Sequence, residues 1–221
     1  MSIPHTEPSR LPVYLLLDCS GSMVGDPIVA VNQGTRTLFN ELCNNPQAIE
    51  TAWISVITFG GTAEQLIPLT ELTKFQPPDL TANGNTPMGE ALRILNDAIE
   101  REVRLRQTAD HKADYKPLVF ILTDGKPTDD NWEARAQALR DRLDRKVADV
   151  YAIGCGSMVD RATLEKVTHS ENIFMMPDLT PAAIQQLFKW LSQSIQRCSE
   201  PKSQGTSPTR KLPPPPPVLQ I

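Results

Sequence analysis

The sequence alternates short apolar stretches of strand length with longer amphipathic stretches, and this alternation restricts the fold more than any other feature. Pro12–Leu17 and Leu118–Leu122 are continuous apolar runs, as expected for parallel strands that are covered on both faces. Trp53–Phe59 and Ala63–Leu69 are joined by a short turn with two glycines, which predicts a β-hairpin and hence one antiparallel edge strand. The further predicted strands are Val147–Ile153 and Ile173–Met176.

The amphipathic stretches repeat apolar residues at the spacing of an α-helix. The predicted helices begin near Asp26-Pro27, Thr86-Pro87, Trp132, Asp160 and Thr180-Pro181. Strands that alternate with helices form a mostly parallel sheet with helices on both faces. We therefore predict an α/β fold of the doubly wound, Rossmann-like type.

Proline usage marks the predicted end of the domain. Of the 20 prolines, seven follow Cys198, and Ser199–Ile221 otherwise mixes Ser, Thr, Lys and Gly. Such a segment cannot bury enough apolar surface to offset the entropy of ordering. We therefore predict a disordered, Pro-rich tail at 199–221, with a polyproline II rod at Pro213–Pro217. Residues 1–10 are predicted to be flexible, which leaves 11–198 as one domain of ordinary size.

Charge, hydropathy and cysteine spacing exclude several classes of protein. The chain has 22 Lys+Arg against 26 Asp+Glu and a formal net charge of −4, which argues against a nucleic-acid-binding surface. No apolar run approaches the roughly 18–20 residues of a membrane-spanning helix, and the amino terminus does not resemble a signal peptide. The four cysteines lie far apart without a C-x-x-C pair, which indicates neither a zinc site nor a disulfide scaffold. We expect a cytoplasmic protein with no nucleic-acid or membrane partner.

Acidic and hydroxyl side chains follow two of the predicted strands. The first strand is followed by Asp18-Cys19-Ser20-Gly21-Ser22, and the strand that ends at Leu122 is followed by Thr123-Asp124-Gly125. In a doubly wound sheet, ligands bind beyond the carboxyl ends of the strands, where the strand order reverses. Two carboxylates and several hydroxyls at that point would form an all-oxygen ligand set, which suits Mg²⁺ or Mn²⁺ and not zinc.

The alternation of Asp18, Ser20 and Ser22 allows a loop that turns at Gly21 to direct all three side chains at one centre. If neutral hydroxyls occupy the inner shell while the acids hold coordinated waters, the ion remains electrophilic. Such an ion would take a further anionic ligand, most naturally a carboxylate of another protein. The alternative is structural, with the serines satisfying loop amides and the aspartate capping a turn.

Other polar residues have simpler interpretations. Thr86, which precedes Pro87, matches an ordinary N-cap and first-turn pair, and this role is compatible with a place near the site. Asp129 and Asp130 are interpreted as first-turn caps of the helix near Trp132. The three histidines are interpreted as solvated and without a ligand role: His5, His111 and His169.

Three motifs together resemble the metal-ion-dependent adhesion site (MIDAS) of von Willebrand factor A (vWA) domains. They read D-C-S-G-S-M, G-N-T-P-M-G-E-A-L and L-T-D-G-K-P-T-D-D. The resemblance covers roughly Leu11 to Cys198. Within the family the sequence resembles the TerY-like proteins linked to tellurium resistance, on the stretches L-P-V-Y-L-L-L-D, V-I-T-F, P-L-V-F-I-L-T-D-G and F-K-W.

The resemblance implies a six-stranded sheet whose antiparallel edge strand comes from the hairpin, with Mg²⁺ at its top. It implies that Ser20 and Ser22 ligate the ion directly, Thr86 directly or through water, and Asp18 and Asp124 chiefly through water. Cys19 stands where the family more often has Thr; the position is not a ligand, although a thiol there could be open to oxidation.

The implied function is a non-enzymatic, metal-dependent protein-interaction module whose partner supplies an Asp or Glu. The alternative is a Mg-dependent phosphotransferase or phosphatase of the haloacid-dehalogenase-like (HAD-like) type. That family pattern needs a second acid two residues after the first, to act on the leaving oxygen, and this position is Ser20. Motifs for a P-loop or a catalytic triad are absent from the sequence, and we predict no enzymatic activity.

The predicted tail suggests regulation by a kinase. Its hydroxyl residues lie close to Lys202, Arg210 and Lys211, and the simplest interpretation is a solvated linker end. A sharper hypothesis is phosphorylation at Ser203, Thr206, Ser207 or Thr209, or docking of Pro213–Pro217 to an aromatic groove. TerY-like proteins are typically encoded beside a protein kinase and a PP2C-type phosphatase. The resemblance therefore implies a scaffold in tellurite or stress-response signalling.

Overall fold

The predicted strands form one six-stranded sheet in the computed structural model, which describes residues 7–108, 110–144, 148–200 and 212–220. The strand order is β3-β2-β1-β4-β5-β6, and only β2 and β3 pair in the antiparallel sense. This confirms the doubly wound fold with the hairpin at one edge. The strands are β1 (Leu11–Asp18), β2 (Ala52–Gly60), β3 (Thr62–Glu71), β4 (Leu118–Thr123), β5 (Asp149–Cys155) and β6 (Ile173–Met176).

Six α-helices cover the sheet in the described part of the chain. They are α1 (Asp26–Cys43), α2 (Pro46–Thr51), α3 (Met88–Glu102), α4 (Trp132–Asp144), α5 (Arg161–Val167) and α6 (Pro181–Ser199). The Thr180 hydroxyl accepts a hydrogen bond from the Ala183 amide, which makes it the N-cap of α6 as predicted. Helix α2 was not predicted because six residues are too few to show an apolar period, although Asn45 caps it and Pro46 opens it.

The central strand β1 separates two apolar cores. All eight of its residues are buried, in agreement with its continuous apolar sequence. Leu15 and Leu17 pack on one face with α1 and α6, whereas Tyr14 and Leu16 pack on the other face with α3 and α4. The chain continues from β1 to β2 on one side and later crosses to β4 on the other side. The strand order therefore reverses beside β1, as a doubly wound binding site requires.

The residues just before β1 belong to the domain, which differs from the flexible segment predicted for 1–10. The Arg10 guanidinium forms two hydrogen bonds with the Asp114 carboxylate, at 2.9 Å and 2.6 Å, and a third with the Glu102 carbonyl oxygen at 2.7 Å. Its guanidinium carbon lies 4.7 Å from the centre of the Trp53 ring. Glu7 also pairs with His111, so both ends of Glu7–Arg10 contact the domain, and residues 1–6 lie outside the described part.

The segment 212–220 is packed against the domain, which differs from the disordered tail that the composition predicts. Leu219 is buried in the core on the α6 side of the sheet, and Gln220 pairs with Met175 of β6. The apolar residues that flank the prolines supply the burial that the composition argument assumed to be missing. Residues 201–211 and 221, which include the four predicted phosphorylation sites, lie outside the described residues.

In the four described ranges, the structure contains no helix that is long and apolar enough to cross a membrane.

Substitution of Asp114 tests the anchoring of the residues before β1. Its side chain is fully buried and also accepts a hydrogen bond from the Arg104 amide. We expect Asp114→Ala to lower the free energy of unfolding by about 3–5 kcal/mol, because the guanidinium of Arg10 then remains buried without its partner. Urea denaturation measures the change.

The matched control for Asp114→Ala is Arg36→Ala, which removes an ion pair with Asp79 whose two side chains are both exposed. Exposed pairs contribute little to stability, so this variant should unfold at nearly the wild-type urea concentration. Equal losses of stability in the two variants would contradict the structural role assigned to Arg10.

Candidate metal centre

The predicted site residues meet at the carboxyl ends of β1 and β4. Asp18 is the last residue of β1, and Asp124 directly follows β4. The two strands are parallel and pair in register as far as Leu17 and Leu122, so their ends lie side by side. Both carboxylates, the Ser20 side chain and the Thr86 side chain are buried.

Three of the predicted ligands form a continuous series of oxygen contacts. The Ser20 and Ser22 hydroxyl oxygens lie 3.0 Å apart, and the Ser22 hydroxyl donates to Asp124 Oδ1 at 2.7 Å. The Ser22 hydroxyl therefore contacts the carboxylate of the other loop, and the Ser20 hydroxyl contacts Ser22. The alternative interpretation, in which these hydroxyls satisfy loop amides, does not describe these contacts.

Both oxygens of Asp18 accept hydrogen bonds. The Ser20 amide donates to Oδ1 at 2.8 Å, and the Thr123 hydroxyl donates to Oδ2 at 2.6 Å. The first hydrogen bond shows that Asp18 caps a turn, which is the structural alternative considered from the sequence. Asp18 nevertheless lies beside the other site residues. Thr123 is a further residue of this centre, not identified among the predicted site residues although it stands directly before Asp124. It orients the buried carboxylate of Asp18 from the neighbouring strand.

Thr86 approaches the same centre from the loop before α3. Its amide donates to the Thr128 hydroxyl at 3.0 Å, and its carbonyl accepts from the Thr128 amide at 3.0 Å. A methyl group placed on Gly125 would lie 3.3 Å from the Thr86 hydroxyl oxygen. Since Gly125 directly follows Asp124, Thr86 lies beside the loop that carries the second acid.

The interpretation of Asp129 as a cap of α4 is wrong. Its carboxylate instead accepts hydrogen bonds from the amides of Gly89 at 3.1 Å and Glu90 at 2.8 Å, in the first turn of α3. Helix α3 begins at Met88, and Pro87 occupies the N-cap position without a side-chain cap of its own, so the interpretation of Thr86 as the N-cap is wrong. The loop after β4 folds back over α3. Asp129 is close to Trp132 in the sequence, and this closeness could not indicate a contact with α3. For Asp130 the first-turn interpretation stays a prediction.

Backbone hydrogen bonds hold the three loops of the centre together. The Asn83 amide donates to the Cys19 carbonyl at 2.8 Å, and the Gly21 amide donates to the Gly84 carbonyl at 2.9 Å. Gly60, at the end of β2, approaches the same loop so closely that a Cβ atom there would lie 2.0 Å from the Cys19 carbonyl oxygen. The positions of Ser20 and Ser22 are therefore determined by backbone contacts from two other loops.

Burial dominates the electrostatics of the two acids. It raises the pKa of Asp18, and hydrogen bonds from Ser20 and Thr123 oppose this effect, whereas the charge of Asp124 reinforces it. Burial also raises the pKa of Asp124, against the hydrogen bond from Ser22. The nearby cation of Lys126 lies 3.1 Å from Asp160 and forms its ion pair there. Two desolvated carboxylates in one crevice are an arrangement that a divalent cation would stabilise.

The donor set fits a small, hard divalent cation. Within the described residues, no group of three or more His, Cys, Asp or Glu side chains could hold a metal ion, so an ion here would need hydroxyl ligands. In an octahedral shell with metal–oxygen distances of about 2.0–2.1 Å, adjacent ligand oxygens lie about 2.9 Å apart. The 3.0 Å separation of the Ser20 and Ser22 hydroxyl oxygens matches that spacing.

Cys19 is buried beside the centre, and burial together with the charge of Asp18 raises its pKa to about 12. The thiolate is the form that reacts with oxidants, and a raised pKa disfavours it. The structure therefore does not favour the oxidation that the sequence position of Cys19 suggested.

Comparison with known proteins identifies the family. Residues 13–190 match the family model described as von Willebrand factor type A domain. The chain therefore belongs to the von Willebrand factor type A family. Domains of this family are generally interaction modules rather than enzymes, and their MIDAS motif binds a divalent cation. No curated protein matches the chain significantly.

Solved structures with low sequence identity share the fold. The pilus adhesin SpaC from Lactobacillus rhamnosus GG superposes with a TM-score of 0.65 and 15% identity, over 86% of this chain and 30% of that chain. A von Willebrand factor type A structure from Catenulispora acidiphila has a TM-score of 0.59 and 19% identity, over 86% and 43%. Proximal thread matrix protein 1 from mussel byssus, with a zinc-occupied MIDAS motif, has a TM-score of 0.57 and 17% identity, over 86% and 48%. This chain thus spans less than half the length of each.

Removal of one acid should stabilise the metal-free protein. We expect Asp124→Asn to unfold at a higher temperature than the wild type in EDTA, because burial disfavours the charged carboxylate. Each kcal/mol recovered should raise the unfolding temperature by about 2–4 °C. Added Mg²⁺ should raise the unfolding temperature of the wild type and leave that of the variant nearly unchanged. Calorimetry in EDTA and in Mg²⁺ measures both effects.

The pH dependence of this difference follows from the raised pKa of Asp124. The folded metal-free protein holds the proton more tightly than the unfolded chain, so stability falls as the pH rises through the raised pKa. The advantage of Asp124→Asn should therefore be greatest at neutral pH and disappear in acid. Asp178→Asn, at an exposed acid on the same end of the sheet, is the matched control. A lower unfolding temperature for Asp124→Asn in EDTA would contradict the electrostatic argument.

Proposed function

We propose that this chain is a non-enzymatic protein-interaction module that binds its partner through a divalent cation. Ser20 and Ser22 ligate the ion directly, Thr86 directly or through water, and Asp18 and Asp124 chiefly through water. The observation that carries the proposal is the series of contacts from the Ser20 hydroxyl to the Ser22 hydroxyl and on to Asp124 Oδ1, at 3.0 Å and 2.7 Å. These atoms come from two loops that only the sheet brings together.

The partner supplies an Asp or Glu to the ion. Neutral hydroxyl ligands leave more positive charge on the ion than directly bound carboxylates would, so it attracts a carboxylate from outside. Mg²⁺ is the proposed ion, with Mn²⁺ as a second choice, because all the donors are oxygen atoms. Zinc belongs in the same experiments, since it occupies the motif of the mussel protein.

The surface beside the site suits a protein partner rather than a free carboxylate. An open depression of about 580 Å³ extends from Ser22 and Asp124 to the loop at Cys155–Met158 and to Pro177–Pro181. Apolar side chains lie exposed at this end of the sheet, with Val24 61% and Met158 69% exposed. Exposed apolar side chains of this kind, Met among them, are enriched in protein interfaces.

We further propose that the partners belong to a kinase and phosphatase signalling system. The support is the resemblance of the sequence to TerY-like proteins, which implies a scaffold in a tellurite or other stress response with a Ser/Thr kinase and a PP2C-type phosphatase. The cytoplasmic location belongs to the same proposal. The proposed phosphorylation sites are Ser203, Thr206, Ser207 and Thr209.

Loss of one hydroxyl ligand should weaken metal binding. We expect Ser22→Ala to bind Mg²⁺ at least tenfold more weakly than the wild type in isothermal titration calorimetry, which also compares Mn²⁺ and Zn²⁺. Ser157→Ala is the matched control, because it removes an exposed hydroxyl at the rim of the same depression. Identical Mg²⁺ titrations for Ser22→Ala and the wild type would contradict the ligand assignment.

Capture of a partner tests the function itself. Asp18→Ala, Ser20→Ala and Asp124→Ala should each abolish binding of the protein that co-purifies in Mg²⁺ and dissociates in EDTA. The fold should persist, because these side chains lie at the carboxyl ends of the strands and outside the apolar cores. Circular dichroism provides the control for folding. A partner that binds equally well in EDTA would contradict the proposal, and so would Mg²⁺-dependent phosphatase turnover that disappears in Asp18→Asn.

Phosphorylation of the segment after α6 is tested separately. Mass spectrometry of protein co-expressed with a kinase of the kind encoded beside TerY-like proteins should find phosphate on one or more of Ser203, Thr206, Ser207 and Thr209. A variant with alanine at all four positions is the control. A chain that remains unmodified while the kinase is active would contradict this part of the proposal.

A further inference from the structure

A group of aromatic rings lies between β4, β5, β6 and α6. The ring centres of Phe174 and Trp190 are 5.0 Å apart with an interplanar angle of 65°, and those of Phe120 and Tyr151 are 5.5 Å apart and stacked. The Phe120 and Trp190 ring centres are 6.4 Å apart, which joins the two pairs. We call the surface formed by Tyr151, Phe174 and Trp190, with Phe120 beside them, the aromatic groove.

The aromatic groove opens at the end of the sheet opposite the metal centre. A depression of about 920 Å³ runs from the aromatic rings to Lys116, Ala148 and Asp149, at the amino ends of β4 and β5. Asp18 and Asp124 lie at the carboxyl ends of the neighbouring strands. The depression therefore lies at the opposite end of β4 and β5 from the two acids.

The prolines of segment 212–220 form one wall of this depression. The indole Nε1 of Trp190 donates a hydrogen bond to the Pro213 carbonyl at 3.0 Å. Pro213, Pro214 and Pro215 line the depression together with Tyr151 and Phe174. Proline has no amide hydrogen, so its carbonyl is the backbone group that a receptor can bind, and indole is a pure donor. An aromatic surface with one such donor is the physical requirement for recognition of a polyproline segment.

The end of the segment adds a second mode of recognition. The Met175 amide donates to the Gln220 carbonyl and the Gln220 amide to the Met175 carbonyl, both at 2.8 Å, at the free edge of β6. Leu219, which is 5% exposed, inserts into the core beside them. The segment thus combines proline contacts, an apolar anchor and strand pairing at a sheet edge.

The length of the chain allows the segment to bind within one molecule. To reach Trp190, the chain must turn back after α6 ends at Ser199. Trp190 lies nine residues before Ser199, which corresponds to about 14 Å along the helix axis. The 11 residues 201–211 connect Glu200 to Leu212, and 11 residues can span up to about 36–40 Å. A covalent connection of this kind gives a local concentration on the order of millimolar, so even a weak ligand occupies its site.

We propose that the aromatic groove is a polyproline-recognition site and that the chain's own segment 212–220 is its tethered, exchangeable ligand. The groove is a second binding surface of the domain, and it accepts an extended segment with consecutive prolines followed by a large aliphatic residue. Such a segment on another molecule binds after the tethered one has been displaced.

The test uses the full-length chain and a fluorescent peptide with the sequence of residues 211–221. Leu219→Asp should release the tethered segment, because a carboxylate replaces a buried apolar anchor. Fluorescence anisotropy should then show peptide binding to Leu219→Asp with an apparent affinity at least about tenfold higher than to the wild type, whose groove is occupied. Leu105→Asp makes the same change at an exposed position outside the segment and the groove, and it should behave like the wild type.

Two further variants separate recognition from simple unfolding. Leu219→Asp combined with Trp190→Phe keeps an aromatic ring and removes the indole donor, so it should bind the peptide several-fold more weakly than Leu219→Asp alone. A peptide that itself carries Leu219→Asp should not bind. Hydrogen exchange at the Met175 amide, which the Gln220 carbonyl protects, reports release of the segment in each variant.

The outcomes decide the proposal in either direction. Faster exchange at Met175 in Leu219→Asp, reversed by added peptide, supports it. Faster exchange without peptide binding, or unchanged exchange in Leu219→Asp, would overturn it. A concentration-dependent dimer of the wild type that Leu219→Asp abolishes would also overturn it, since the segment would then bind a second copy of the chain.

Discussion

The burial of two carboxylates at the ends of adjacent parallel strands is the constraint on which the rest of this structure depends. Asp18 and Asp124 lie next to each other because β1 and β4 are parallel neighbours, and burial raises both pKa values. Hydroxyl groups of Thr123 and Ser22 orient them without neutralising their charge. Two buried negative charges in one site are unfavourable, and a divalent cation would compensate for them. A partner's carboxylate would then complete the coordination of the cation.

The two ends of the sheet present different chemistry. The carboxyl ends carry buried acids and hydroxyls held by backbone contacts between loops, so the recognition proposed there is electrostatic and depends on a metal. The amino ends carry the aromatic groove, where the proposed recognition relies on apolar contact and one indole donor, and the segment pairs with the free edge of β6 at Met175. The two proposed modes of recognition therefore use different kinds of interaction.

Local sequence patterns predicted most of the fold, and motif spacing predicted much of the candidate site. The apolar run of β1, the hairpin of β2 and β3, and the cap of α6 at Thr180 all follow from neighbouring residues. Helix α2 was missed because it is short, whereas the other failures share one cause, which is contact between distant segments. Asp129 caps α3 rather than α4, Arg10 pairs with Asp114, and Leu219 fills a core that the proline content gave no reason to expect.

The sequence by itself determined the order of strands and helices, the antiparallel hairpin and the identity of the oxygen-bearing residues, because periodicity and turn chemistry act over a few neighbouring positions. Only the tertiary structure decided which of those residues share a centre, since Ser22 and Asp124 are separated by 102 positions yet lie in hydrogen-bond contact. It also decided that the prolines at the end of the chain pack on aromatic rings. The composition of a segment shows how much apolar surface the segment carries. It does not show whether another part of the chain covers that surface.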